Sequence, residues 1–344
     1  MSSSEDARSA AIVDVAITAY RRAAFIGEAI ESVLDQRFDR WRLTICDNGP
    51  GGGEIEEVAA TYLSDTRVSY LTTGDELPLA ENWTKAIGCG RAPYVALLND
   101  DDRWHPDFLG ARVRALDAHP ECGFAFAEWV QIDEGGKPVL RAPYRFPEGV
   151  VSRAELARWL TRQNVVVPPA IVVRRSGYAA VGAAFDGRWH YCDWEMWARL
   201  AARFPAYYLR LQDSDYRRHA QVNTFARRED PDRLVAMVDH LEGLFAAELP
   251  AFELSDRDRS RNRSKVLLHA AGDVYQGGGW TASRPLYRRA LREYLPAAFD
   301  RVSLMLLART VLGHRGSHVV GRALWPIRRW LRRNADRAGT ERAA

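Results

Sequence analysis

The run Leu97-Leu98-Asn99-Asp100-Asp101-Asp102-Arg103-Trp104 sets adjacent carboxylates directly after Pro93-Tyr94-Val95-Ala96, which reads as a short buried strand. Pro106, just beyond, suits the first turn of a helix. Carboxylates crowded at the end of a buried strand repel one another unless a cation compensates them. Hard divalent ions such as Mg2+ or Mn2+ prefer oxygen ligands and also neutralise a diphosphate. The run is therefore a candidate metal–diphosphate site. The competing reading is a solvated acidic turn, with either Asp100 or Asp102 capping the helix after Arg103.

Two more polar loops follow strands in the same way. Val13-Asp14-Val15-Ala16-Ile17 is a compact apolar strand that leads into Thr18 to Arg22. Trp41 to Cys46 is a second strand, and Asp47-Asn48-Gly49-Pro50-Gly51-Gly52-Gly53 is a strong turn signal after it. Between them, Phe25 to Gln36 carries the helical stripe Ile26, Ala29, Ile30, Val33 and Leu34. Glu54 to Tyr62 and Ala80 to Ile87 read as further helices, and Val68 to Leu71 and Tyr94 to Leu98 as further strands. Strands alternating with helices imply a parallel sheet covered on both faces. In such sheets ligands bind beyond the carboxyl ends of the strands. The three loops therefore point at one cleft.

Past Pro106 the pattern changes. Cys122 to Ala127 and Val130 to Ile132 read as two strands, with Asp133-Glu134-Gly135-Gly136 turning back toward Val139. Val151 to Leu160 and Asp193 to Ala202 read as helices. From Pro231 onward the chain reads as helix, over Leu234 to Glu248, Asp256 to Tyr275, Thr281 to Tyr294 and Ala297 to Val311, with a turn at Gly277 to Gly279. The expected organisation is a polar, disordered stretch over 1–11, an α/β domain over 12–228 with its halves meeting near 105, and a helical region over 229–344.

Of the 344 residues 27% are charged and 47% hydrophobic, as in ordinary soluble globular proteins. A net charge of +3 argues against nucleic acid as a partner. Cys46, Cys89, Cys122 and Cys192 show no metal-ligand spacing and read as buried, reduced thiols. Met1 to Ala10 has no apolar core of a signal peptide, and no apolar run is long enough to span a membrane. A cytoplasmic protein is expected. Trp325-Pro326-Ile327-Arg328-Arg329-Trp330-Leu331-Arg332-Arg333 suits either an amphipathic helix on an anionic membrane, peripheral at the inner face, or a solvated terminal helix. A homodimer contact is the other use open to the helical region.

The ordered motifs resemble the family-2 glycosyltransferases over roughly residues 12 to 225. Val15 to Arg22 resembles the family's opening strand and Pro-Thr-Tyr-Asn-Arg turn, with Thr18 and Arg21 as departures. Ile30 to Gln36 resembles its Ser-Val-Leu-x-Gln helix, and Ile45 to Gly49 its Val-Asp-Asp-Gly-Ser segment. Leu98 to Asp102 falls at its DxD-type motif, with Asn99 in place of the first aspartate. Cys192-Asp193-Trp194-Glu195-Met196-Trp197-Ala198-Arg199-Leu200 resembles the Glu-Asp-x-x-Leu-Trp-x-Arg-Leu helix start, and Tyr216 to His219 the downstream Tyr-Arg-x-His segment.

The resemblance implies a GT-A fold, that is, a Rossmann-like α/β architecture with a mostly parallel sheet flanked by helices. The implied activity is inverting, metal-dependent sugar transfer from a nucleoside diphosphate sugar, a UDP-sugar first, to a glycan, lipid-linked glycan or other glycoconjugate. It implies Asp193 as general base, with Glu195 the competitor. Asp101 and His219 would hold Mg2+ or Mn2+. Ala19, Tyr20, Arg22, Asp47, Asn82, Asn99 and Asp100 would line the donor pocket, and Asp102 is a further candidate there. Trp189 lies in the stretch from Pro143 to Tyr191 expected to meet the acceptor. A small-molecule acceptor is the second option. The rivals are a nucleotidyltransferase, which the lack of glycine in Thr18 to Arg22 disfavours, and a non-catalytic sugar-binding module.

Overall fold

The structure is a computed structural model, and it describes residues 11–219, 230–299 and 303–304. The chain forms two compact units: residues 1–220 with 239–253, and residues 221–238 with 254–344.

The first unit is built on one ten-stranded sheet. Its first half follows the alternating pattern: β1 (Val13–Ala19), α1 (Ala23–Leu34), β2 (Trp41–Asp47), α2 (Glu54–Ala60), β3 (Val68–Thr72), α3 (Leu79–Ile87) and β4 (Tyr94–Asn99). The strand order β3-β2-β1-β4 is parallel throughout. All seven residues of β1 are buried because helices cover both sheet faces. Val13, Val15 and Ile17 of β1 join Ile26 and Ile30 of α1 and Leu43 and Ile45 of β2 in the core.

Beyond β4 the pairing becomes mixed. The elements are β5 (Arg103–Trp104), α4 (Phe108–Ala118), β6 (Phe124–Ile132), β7 (Pro138–Arg141), β8 (Gly149–Val151), α5 (Arg153–Leu160), β9 (Ile171–Arg174), α6 (Arg175–Ala180), α7 (Cys192–Arg203) and β10 (Ala206–Arg217). Strand β9 runs antiparallel between β4 and β6, while β10 is parallel to β6. The sheet thus carries its parallel character only in part. The two short strands expected over 122–132 are one strand, β6, because Glu128, which reads as an interruption, is buried against Arg145 and accepts from the Tyr208 hydroxyl at 3.0 Å.

Helix α8 (Pro231–Glu248) contributes its residues from Asp239 on to the first unit. There Phe245 is buried and packs against Phe252. In the second unit α9 (Asp256–Glu293) is one helix through Gly277 to Gly279, where a turn was expected. Glycine inside a helix costs only about 1 kcal/mol relative to alanine. That is too little to stop a helix otherwise started by Ser255, whose hydroxyl accepts from the Asp258 N–H at 3.1 Å. Residues Leu295–Phe299 form a short 3-10 turn, and the remainder of the expected Ala297 to Val311 helix, save Ser303 and Leu304, lies outside the described residues, as does Trp325 to Arg333. Among the described residues no helix is long and apolar enough to cross a membrane.

Candidate active site

Parallel pairing places Ala19 opposite Asp47 on β2, and Thr18 opposite Asn99 on β4. The three candidate loops therefore open side by side at one edge of the sheet. The loop after β1 is tightly made: Arg21 adopts φ 56°, a left-handed conformation that a non-glycine residue holds only when its surroundings demand it. That turn aims the Tyr20 backbone N–H at Asp100 Oδ2, 2.8 Å away. It also sends the Arg22 side chain back over β4, where its guanidinium lies 2.8 Å from Asp100 Oδ1 and 2.5 Å from Asp101 Oδ2.

The acidic run is buried, so it is not a solvated turn. Asp100, Asp101 and Asp102 are 0%, 6% and 1% exposed. Asp102 does not cap a helix, since α4 starts later, after Asp107. Its carboxylate instead accepts from the Arg217 backbone N–H at 2.8 Å and from Asn99 Nδ2 at 2.9 Å. Arg217, fully buried, also donates to the Asp101 carbonyl at 2.8 Å and pairs with Glu28 at 2.7 Å. Burial pushes the Asp100 carboxyl up to about 7 despite Arg22, and pushes Asp102 well above the carboxylate range, with the Asp101 charge adding to it. Burial alone would ease the proton off Arg22, but Asp100, Asp101 and Asp102 outweigh it and hold the guanidinium more firmly charged.

His219 is brought to this cluster. Its Nε2 stands 3.0 Å from Asp101 Oδ2, and its ring packs 5.0 Å from Phe25. Among the described residues no three His, Cys, Asp or Glu side chains stand together as a complete metal site. Asp101 and His219 supply one oxygen and one nitrogen. Mg2+ is commonly held by one or two protein ligands, with water and substrate phosphates completing the shell. Asp100 Oδ1 adds a clue: this buried oxygen has no partner but the Arg22 guanidinium, 2.8 Å away. The donor set therefore fits a divalent ion that arrives with a diphosphate.

On the far side of β1, Asp47 Oδ2 accepts from the Tyr70 hydroxyl at 2.7 Å. Asn48 makes two bonds to the Leu77 backbone, both at 2.9 Å, and so fixes the entry to α3. Asn82 on α3 is buried and its Oδ1 lacks a partner. The Gly51–Gly52 turn needs glycine at φ 77° and 72°, and a Cβ on Gly51 would meet Thr72 Cγ2 at 2.9 Å. Tyr20 hydrogen-bonds Glu76 through its hydroxyl, and Arg21 pairs with the same carboxylate at 2.8 Å.

Asp193, Glu195 and Trp189 form a second group. Asp193, in the first turn of α7, is half-buried, and its Oδ2 accepts from Asn164 Nδ2 at 2.9 Å. Burial pushes its carboxyl up to about 6, opposed by the Trp194 backbone N–H and the Asn164 amide. Glu195 is committed elsewhere: Arg199 Nε lies 2.9 Å from Oε2 and His240 Nε2 3.4 Å from Oε1. Trp189 packs at a tilt against His240 with ring centroids 5.2 Å apart.

Sequence reasoning missed Tyr70, Asn164, His240 and the part played by Arg217. Only Arg217 carried a signal, its place in Tyr216-Arg217-Arg218-His219. Cys89 is half-buried, not fully buried as expected, and its sulfur is 3.9 Å from Cys46.

The sequence and the fold have known counterparts. The profile of glycosyl transferase family 2 matches residues 14–180. Protein CgeD of Bacillus subtilis is 27% identical over 204 residues, covering 55% of this chain and 46% of CgeD. The putative teichuronic acid biosynthesis glycosyltransferase TuaG of the same organism is 27% identical over 130 residues, covering 37% of this chain and 50% of TuaG. The chain thus spans about half the length of these curated relatives. Residues 1–349 of TarS from S. aureus share the fold in complex with UDP-GlcNAc, with a TM-score of 0.57, 13% identity, and 90% of each chain covered. The fold is that of GT-A glycosyltransferases. Over residues 14–180 the chain is similar to glycosyl transferase family 2.

Proposed function

We propose that the chain moves a sugar from a nucleoside diphosphate sugar, a UDP-sugar in the first instance, to a hydroxyl of a glycan or other glycoconjugate, with inversion at the anomeric carbon. One observation carries this reading. The buried Asp100–Asp101 pair and Asp47 end adjacent parallel strands on either side of Ala19, so one ligand lying across β1 meets both. A nucleoside diphosphate has that form, with a base bearing N–H donors for Asp47 and a diphosphate for the Arg22 and Asp101 side. Tyr20 and Asn82 are suited to the pocket walls between them.

Asp101 and His219 would hold Mg2+ or Mn2+, which when bound offsets the charge on the departing diphosphate. Arg22 adds a positive charge on the same side. Asp193 is the general base. Its carboxylate takes the proton of the acceptor hydroxyl while the hydroxyl oxygen bonds to the anomeric carbon. The electron pair of the anomeric carbon–phosphate oxygen bond leaves with the nucleoside diphosphate. A carboxyl at about 6 is ionised at neutral pH yet basic enough to accept that proton. The relative TuaG, by its name a putative teichuronic acid biosynthesis glycosyltransferase, supports a surface polysaccharide as the acceptor class.

The test is release of UDP from a panel of UDP-sugars with Mn2+ and a glycan acceptor. The wild type is expected to turn over one of them. Asp193→Asn is expected to lose about a hundredfold or more of that rate while still binding UDP. Wild-type turnover by Asp193→Asn would remove Asp193 from the chemistry.

A further inference from the structure

Asn164 lies outside every motif read in the sequence, in the polar Arg162-Gln163-Asn164 step between α5 and the apolar Val165-Val166-Val167 run. Its place is fixed from two sides. Helix α5 packs on α7 through buried Leu156 and Leu160, and the Trp194 indole N–H donates to the Leu160 carbonyl at 2.8 Å. Thr161 closes the end of α5 with its hydroxyl on the Ala157 carbonyl at 2.9 Å. The Val166 backbone N–H then donates to Asn164 Oδ1 at 3.3 Å. With its oxygen held, the amide has one orientation, and its Nδ2 points at Asp193 Oδ2, 2.9 Å away.

We propose that Asn164 is a positioning residue for sugar transfer: its amide fixes the Asp193 carboxylate in the ionised form and in one orientation for the acceptor hydroxyl. The proposal rests on Asp193 being the base. A half-buried carboxylate loses hydration, and a neutral donor restores part of it without adding a charge. A cation in the same place would hold the carboxylate ionised too firmly for a base. A second carboxylate would push the proton back on. An amide does neither and exchanges no proton of its own, so the proton taken from the acceptor stays on Asp193. Glu195 shows the contrast two residues later, with both oxygens committed to Arg199 and His240.

A merely structural link between α5 and α7 would also show this hydrogen bond, so the test reads the carboxyl itself. The full chain is labelled with carboxyl-13C aspartate, and the Asp193 signal is identified by its loss in Asp193→Asn. The signal is titrated in the wild type, in Asn164→Ala, and in the isosteric Asn164→Asp, which keeps the shape if the alanine variant does not fold. The midpoint is expected to rise by about one pH unit in Asn164→Ala and further in Asn164→Asp, where like charges meet. Transfer at pH 5, below both midpoints, is expected to fall about tenfold in Asn164→Ala, with calorimetric binding of UDP unchanged. Unchanged midpoints and rates in both variants, with Asp193→Asn inactive, would overturn the role of Asn164 alone. Wild-type transfer by Asp193→Asn would overturn the base on which it rests.

Discussion

Replacing Arg22 by glutamine tests whether the donor site is built on compensated buried charge. The guanidinium side chain is 18% exposed, and its two partners, Asp100 and Asp101, are 0% and 7% exposed at their side chains. Glutamine keeps much of the stem and removes the charge. Breaking a buried ion pair by deleting one partner costs about 3–5 kcal/mol, because the other charge stays behind uncompensated. Arg217 still serves Asp102 and the Asp101 carbonyl, so the lower figure of about 3 kcal/mol applies. For a unit of this size 1 kcal/mol moves the melting temperature by about 2–4 °C, which gives a fall of about 6–12 °C. Calorimetric melting at pH 8, where exposed carboxylates are all ionised, measures it directly. Mn2+ is then expected to raise the melting temperature of Arg22→Gln more than that of the wild type. In the variant the ion meets free carboxylates, whereas in the wild type it must displace the guanidinium. A ligand at about a hundredfold excess over its dissociation constant stabilises by about 2.7 kcal/mol. A melting temperature within about 2 °C of wild type, or an equal response to Mn2+, would refute the reasoning.

Three other outcomes follow from contacts already described. The acid limb of transfer is expected near pH 6, with the rate falling about tenfold per unit below it as Asp193 takes a proton, and that limb should vanish in the residual activity of Asp193→Asn. Tyr70→Phe removes the hydroxyl 2.7 Å from Asp47 Oδ2; UDP affinity measured by calorimetry is expected to fall about fivefold with the melting temperature nearly unchanged. Gly123→Ala would set a Cβ 2.6 Å from Phe204 Cβ, and urea unfolding is expected to show a loss of about 1–3 kcal/mol without altering nucleotide affinity.

The first half of the fold was legible because its signals are local. Buried parallel strands read as short apolar runs, amphipathic helices show their stripe, and turn residues close each unit. That the loops carrying Ala19, Asp47, Asn99 and Asp100 open at one edge followed from the alternation of strands and helices, and the choice of these residues from the family resemblance. The second half was less legible because antiparallel β9, inserted between β4 and β6, is a long-range pairing with no local mark. The same distance hid Asn164, Tyr70 and His240. Each acts through a partner 23 or more residues away in sequence: Asp193, Asp47 and Glu195. The reading that Asp100 or Asp102 caps a helix failed because a carboxylate near a helix start and one buried on Arg22 or Arg217 look alike in sequence. Gly277 to Gly279 misled for a different reason, since glycine weakens a helix without forbidding it.

The most direct test of the central claim is calorimetric titration of UDP, GDP and dTDP into the wild type and Asp47→Ala, with and without Mn2+. The account predicts that UDP binds, that binding strengthens with Mn2+, and that Asp47→Ala weakens it about tenfold or more. Failure of every nucleotide to bind in the presence of Mn2+, or equal binding by Asp47→Ala, would contradict the assignment of this edge of the sheet as the donor site.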